Sequence, residues 1–275
     1  MSPKPYQDIL YAVDGEVATV TINRPEVHNA FRQRTIEELT EAFHLAEEDE
    51  SVGVVVLTGA GGRAFSTGGD AQTLSQLTPV TGKTFLKKMM DLYTALRNGA
   101  KPTIARIDGF CIGGGNELNL MCDLAIASET SVFGQVGPKV GSVPMWGGTQ
   151  LLPRLIGDRR AREVIMLCQQ YTAQQAMEMG WVNRVVPKAK LDEAVKEYCD
   201  RLLSMSPQSL RLAKLSLNYG ADTEMASMWH SMELLASIMG TPEWVEGTTA
   251  FLSKRKPEFR KVAREAERSR RSLTT

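Results

Sequence analysis

Four cysteines are all that this chain carries, at positions 111, 122, 168 and 199, and none forms a C-x-x-C pair. Two of them lie in apolar runs. That is neither a disulfide framework nor a zinc site; it reads as small core hydrophobes in a reducing compartment. Histidine is scarcer, with three residues scattered at 28, 44 and 230, which also argues against a metal centre. Net charge is missing as well. Thirty-two Lys and Arg balance 32 Asp and Glu, so no global field draws the chain to nucleic acid or membrane. No apolar stretch approaches the ~20 residues of a membrane span, and the opening MSPKPYQDILYAVDGE is too polar for a signal peptide. These absences imply a cytoplasmic enzyme or binding protein.

What is present fits one large domain, or one with a smaller appendage: 275 residues, 43% of them hydrophobic. ILYAVDGEVATVTINRP reads as a hairpin turning at Asp14-Gly15. RQRTIEELTEAFHLAEED has helical apolar spacing. VGVVVLTGAG is a buried strand closed by glycines. After the loop GGRAFSTGGD come a helix over TGKTFLKKMMDLYTALRN and a strand over KPTIARIDGF. A glycine triplet and its helix follow, then DLAIASETSVFGQ as strand, turn and short strand. Alternating strands and helices predict an α/β fold with βαβ crossovers. Beyond about residue 158 the pattern is mostly helical, with one strand-like piece, WVNRVV.

Two loops share a design of buried strand, small residues and helix: VVVLTGAGGRAFSTGGD and IARIDGFCIGGGNE. Each can present a main-chain N–H at the top of a sheet. Two such donors, assigned to Gly69 and Gly114, would stabilise an oxyanion by a few kcal/mol each, helped by a helix dipole. On local sequence alone, tight turns requiring positive φ are the simpler explanation of the glycines. A phosphate-binding loop is excluded: Gly82-Lys83-Thr84 has Leu77 where the earlier glycine must stand. No G-x-G-x-x-G follows a strand either.

NRPEVHNAF, AFSTGGD, GFCIGGGNELNLMCDLAIA, FGQVGPKVG, GGTQLLPRLIG and GTTAFLSKRKPEF resemble, in order, the enoyl-CoA hydratase/isomerase (crotonase) family. The resemblance implies an α/β spiral of ββα and βαβ turns with a C-terminal helical trimerisation region, assembled as trimers or hexamers. On that basis residues 1–200 form the core with an acyl-CoA site, and residues 201–275 an oligomerisation region with a basic tail. The substrate would be an acyl-CoA thioester whose carbonyl sits between the Gly69 and Gly114 amides. Coenzyme A enters as part of the substrate, with no tightly bound cofactor.

Glu117 matches the first of two catalytic glutamates in hydratases. The second falls at Gly137, a departure that removes the paired acid–base route. FGQVGPKVGS resembles instead a ring-forming and ring-opening subgroup: dihydroxynaphthoyl-CoA synthase, ketocyclohexanecarboxyl-CoA hydrolase and oxocyclohexenecarbonyl-CoA hydrolase. The first two carry an apolar residue where Glu117 stands and an Asp where Pro144 stands; the third is locally the better match. The implied chemistry is water addition to, or hydrolytic ring opening of, a cyclic or bulky acyl-CoA. Ordinary enoyl-CoA hydration and double-bond isomerisation are the rivals.

By the same resemblance Val27, Thr67, Asp70 and Ala71 neighbour the CoA moiety, as do Phe251 and Lys254, often from an adjacent subunit. Asp70 also suits a helix N-cap. His28 reads as a packing or surface histidine. Trp146, near Ser142, walls an acyl pocket or simply packs, and QTLSQLTPVTGKT shapes that pocket. The Met-rich EMASMWHSMELLASIM reads as subunit-interface core rather than a ligand site. From Lys254 to Arg271 nine Lys/Arg stand against three Glu, a balance of +6. A non-catalytic RNA-binding or scaffold relative could use that tail. Neutral overall charge and the lack of basic–aromatic interleaving argue against nucleic acid.

Overall fold

A computed structural model describes residues 6–222 and 225–272. It opens on the expected hairpin, β1 (Ile9–Asp14) antiparallel to β2 (Val17–Ile22). Asp14 pairs with Val17, so the turn is Gly15-Glu16, one residue later than the sequence suggests. Gly15 supplies the positive φ of 57°, free of steric cost without a Cβ.

Helix α1 (Gln33–Glu48) buries Ile36, Leu39, Ala42, Phe43 and Ala46, one face of a 3.6-residue repeat. There follow β3 (Val54–Gly59), β4 (Ala64–Ser66), α2 (Ala71–Ser75) and α3 (Pro79–Asn98). Next are β5 (Thr103–Ile107), β6 (Phe110–Ile112), α4 (Gly114–Met121), β7 (Leu124–Ser128) and β8 (Val132–Gly134). The chain continues through α5 (Leu152–Ile156), α6 (Asp158–Leu167), β9 (Gln170–Thr172), α7 (Ala173–Glu178) and β10 (Arg184–Val186).

Two sheets result, ordered β1-β2-β3-β5-β7-β10 and β4-β6-β8-β9. The pairs β3/β4, β5/β6 and β7/β8 each place one strand in the first sheet and the next in the second. Their neighbours in each sheet run parallel, so successive turns stack on one another, with a register shift between Ala64 and Ser66 where β4 meets β6. The run KPTIARIDGF is therefore two strands, not one. Gly109 makes the crossing: its φ is +81°, and a Cβ there would lie 2.1 Å from the Arg63 carbonyl oxygen. β4 and β9, three residues each, are too short to show a period and were not foreseen.

The central strand β3 is apolar on both faces, as a doubly covered parallel strand must be. Val55, Leu57 and Ala105 face the main core, whereas Val54, Val56, Ile104 and Ile126 belong to a second one. Leu191, Ala194 and Val195 of α8 (Leu191–Leu203) cover that second core.

After Val186 the described residues are helical wherever regular: α8, α9 (Pro207–Asp222), α10 (Met225–Ile238), α11 (Pro242–Leu252) and α12 (Phe259–Ser272), preceded by a 3-10 turn at Lys188–Lys190. None of the described helices is long and apolar enough to cross a membrane. The Met-rich helix α10 corrects one expectation. Met228 and Met232, with Met239 just beyond the helix, are buried within this chain, whereas Trp229 and Leu234 are the exposed apolar residues.

Candidate active site

Strands β4, β6 and β8 are neighbours in the second sheet, and a glycine turn follows each: Gly68-Gly69, Gly113-Gly114 and Gly137. Carboxyl ends of adjacent parallel strands are where open α/β sheets bind ligands. A cleft of about 110 Å3, open to solvent, lies there, lined by Gly69, Gly114, Gly137 and Glu117 among others.

The first two turns touch. Gly68 has φ +89°, and a Cβ on it would stand 2.6 Å from the Gly114 amide nitrogen. A Cβ on Gly114 would meet the Phe31 ring at 2.6 Å. Bare backbone is thus required for this approach as well as for the φ angle. Gly68 O accepts the Phe31 N–H at 2.8 Å. Because C=O and N–H of a trans peptide point oppositely, the Gly69 N–H is turned away from residue 31. Gly114 opens α4, where the first N–H groups of a helix have no internal acceptor. Among the described residues neither the Gly69 nor the Gly114 N–H has a protein acceptor.

Glu117 lies in the first turn of α4 and is 5% exposed. Its Oε1 accepts main-chain N–H groups from Trp146 at 2.8 Å and Gly148 at 3.1 Å. Burial pushes the carboxyl up from 4.5 to about 7, against those two hydrogen bonds, which pull it down. The outcome is a carboxylate fixed by one oxygen and able to exchange a proton near neutrality. Gly148 must be bare: a Cβ would lie 2.9 Å from Glu117 Oε1.

Gly137 starts a 3-10 turn (Gly137–Val140). A Cβ there would stand 2.9 Å from both Ser142 O and Val143 Cα. The second carboxylate is therefore not only missing; the next loop occupies its path. Ser142 lines the cleft. Trp146 both packs and lines it: fully buried, it donates Nε1–H to Met89 O at 2.8 Å and meets Phe31 edge-on.

Of the residues expected near coenzyme A, Thr67 lines the cleft. Val27 ends a 3-10 turn whose next residue, His28, accepts the Thr67 N–H at 3.2 Å. Asp70 caps α2 through Thr73 N–H at 3.0 Å, and Ala71 is the first residue of that helix. Phe251 and Lys254 are exposed, on and just past α11, and do not border the cleft. Leu74 is what the QTLSQLTPVTGKT segment contributes to the lining.

Three parts of the site gave no readable signal. Trp146 and Gly148 act through main-chain N–H groups. Phe85, Leu86, Met89, Leu235 and Met239 wall the cleft from α3 and the α10 region, far apart in sequence. Gln135 is fully buried, borders the cleft and has no partner for either amide atom among the described residues. The four cysteines are free; burial pushes the Cys122 and Cys199 thiols up to about 12 and about 11. Among the described residues no group of three or more His, Cys, Asp or Glu could hold a metal ion.

Fold and cleft together define a two-sheet α/β protein with unpaired main-chain amides and one buried carboxylate around an apolar pocket. Residues 13–262 match the enoyl-CoA hydratase/isomerase family. Solved relatives agree. An enoyl-CoA hydratase from Mycobacterium avium subsp. paratuberculosis K-10 is 28% identical over 93% of this chain and 99% of its own, with a TM-score of 0.84. An enoyl-CoA hydratase/isomerase from Xanthobacter autotrophicus Py2 is 30% identical over 94% and 97%, also at 0.84. The enoyl-CoA hydratase from Bacillus anthracis is 32% identical over 92% and 99%, at 0.75. The chain belongs to the enoyl-CoA hydratase/isomerase family and is an acyl-CoA enzyme of that type.

Proposed function

We propose that Glu117 is the sole acid–base group of an enzyme acting with water on a cyclic or bulky enoyl- or oxoacyl-CoA. The Gly69 and Gly114 N–H groups would hold the thioester oxygen as an enolate forms. The observation that carries this reading is the single carboxylate: Glu117 with its raised pKa, opposite a Gly137 whose surroundings leave no path for a second.

In ring opening, Glu117 takes a proton from water as the oxygen bonds to the ring ketone carbon. The C–C bond then breaks, and its electron pair moves into the thioester enolate held by the two amides. Glu117 returns the proton to the α-carbon, so the net change is addition of one water. Hydration of an enoyl-CoA uses the same groups, with water adding at the β-carbon. The apolar walls from Phe85, Met89, Leu235 and Met239 suit a bulky acyl group.

Coenzyme A arrives with the substrate, and no cofactor stays tightly bound. Val27, Thr67, Asp70 and Ala71 would neighbour it, with Phe251 and Lys254 reaching a second copy's ligand. Self-association as trimers or hexamers is supported by the exposed Leu217 and Tyr219 of α9 and Phe251 of α11.

The test is turnover of crotonyl-CoA, a cyclic enoyl-CoA and a cyclic β-oxoacyl-CoA in 18O-labelled water, with products separated by NMR. Label in a new carboxylate means ring opening; label in a hydroxyl means hydration. Double-bond migration without label would overturn the water chemistry and favour the isomerase reading, which a single proton-shuttling carboxylate also supports.

A further inference from the structure

Gly68-Gly69 is a conformationally cheap pair to invert, since neither residue has a Cβ to resist rotation. A flip of the peptide between them would turn the Gly69 N–H out of place. Something must hold it. One restraint is on the near side, Phe31 N–H to Gly68 O at 2.8 Å. The far side depends on Asp70.

Asp70 N–H donates to Phe31 O at 2.8 Å, and its Oδ1 accepts Thr73 N–H at 3.0 Å. Its other oxygen, Oδ2, meets both Nη1 and Nη2 of Arg24 at 3.3 Å. The pair is largely shielded, with side chains 12% and 14% exposed. Arg24 is itself anchored. Nη1 donates to Ala30 O at 2.6 Å, and Nε lies 3.9 Å from Asp8 Oδ2. Its main chain exchanges hydrogen bonds with Asn29, through Arg24 N–H to Oδ1 at 3.0 Å and Asn29 N–H to Arg24 O at 2.8 Å. One guanidinium therefore ties three segments together: the chain before β1, the 29–31 turn and the residue directly after Gly69.

We propose that Arg24 is a positioning residue: through Asp70 it locks the Gly68–Gly69 peptide so that the Gly69 N–H faces the substrate carbonyl. A partly desolvated Arg–carboxylate contact restrains more than a surface pair. This inference rests on the amide-pair reading above.

The test uses the full chain with cinnamoyl-CoA, whose thioester carbonyl stretch and near-ultraviolet band move when the oxygen is polarised. Asp70→Asn is the leading variant, because Asn caps a helix as well as Asp while the charge on Oδ2 is gone. Arg24→Met is the second, and serves if the first does not fold. The expected result is a kcat lower by about tenfold to a hundredfold, KM within about threefold, circular dichroism unchanged and the carbonyl shift at least halved. Arg24→Lys, which keeps the charge without the fork, should recover part of the shift. A wild-type carbonyl that does not shift at all would overturn the amide-pair reading itself. A wild-type shift that persists at full size in folded Asp70→Asn or Arg24→Met overturns the role of Arg24 alone.

Discussion

Trp146 gives its main-chain N–H to Glu117 Oε1 at 2.8 Å, across 29 residues of sequence. This bond, with that from Gly148, leaves the other carboxylate oxygen, Oε2, without a protein hydrogen bond among the described residues. It also keeps the pKa from climbing further than about 7 in a fully buried setting. The glutamate is thus oriented by peptide groups that no substitution other than proline can delete, only displace.

Removing the acid–base function should be decisive. Glu117→Gln keeps an acceptor for both N–H groups and is expected to lose at least about two orders of magnitude in kcat. In the wild type, kcat/KM should rise with pH through about 7, because a base works only when ionised. Near-wild-type turnover in Glu117→Gln, or a flat profile from pH 5 to 8, would reject the assignment.

The same group makes stability depend on pH. Between 4.5 and about 7 the folded chain retains a proton that the unfolded chain has released. Folded-state protonation of this kind stabilises at low pH, so stability falls as pH rises through that window. At about 1.36 kcal/mol per unit, the effect is bounded at about 3 kcal/mol. Urea titrations of wild type and Glu117→Gln should therefore diverge, the variant gaining relative stability up to about pH 8. Parallel curves would contradict a raised Glu117 pKa.

Gly137→Glu should not build a paired-glutamate hydratase. Its Cβ would press on Ser142 O and Val143 Cα at 2.9 Å, an overpacking that costs about 1–3 kcal/mol. We expect a lower melting temperature and no gain in crotonyl-CoA hydration. A variant that folds as stably as wild type and hydrates crotonyl-CoA faster would show the loop to be freer than its packing indicates.

Gly148→Ala tests the orientation of Glu117. The added methyl would sit 2.9 Å from Oε1 and 2.7 Å from Pro144 Cβ. Displacing that N–H removes a bond that favours the ionised form, so the kinetic pKa should move above about 7. A displacement of about 1 Å commonly lowers the rate about a hundredfold. Unchanged kcat and unchanged pKa would sink this account.

Much of the architecture was legible in the chain itself. Apolar spacing located α1 and α3, since their buried faces repeat at the helical period. The doubly buried β3 was readable from its uninterrupted Val and Leu run. The glycine turns were visible because bare backbone leaves a compositional mark. Glu117 stood out as the carboxylate beside the triplet. What local pattern could not give was the division of strands between two sheets, because Gly109 changes the chain's direction without changing its composition. Nor could it give the turn of β1–β2, which register decided. Three glycine loops become one site only because β4, β6 and β8 lie side by side. The rise in the Glu117 pKa is likewise tertiary: it comes from burial beneath residues drawn from distant helices, and its partners are N–H groups that every residue but proline possesses. Sequence specifies which groups exist; the dielectric around them and their mutual distance are set only when the chain folds.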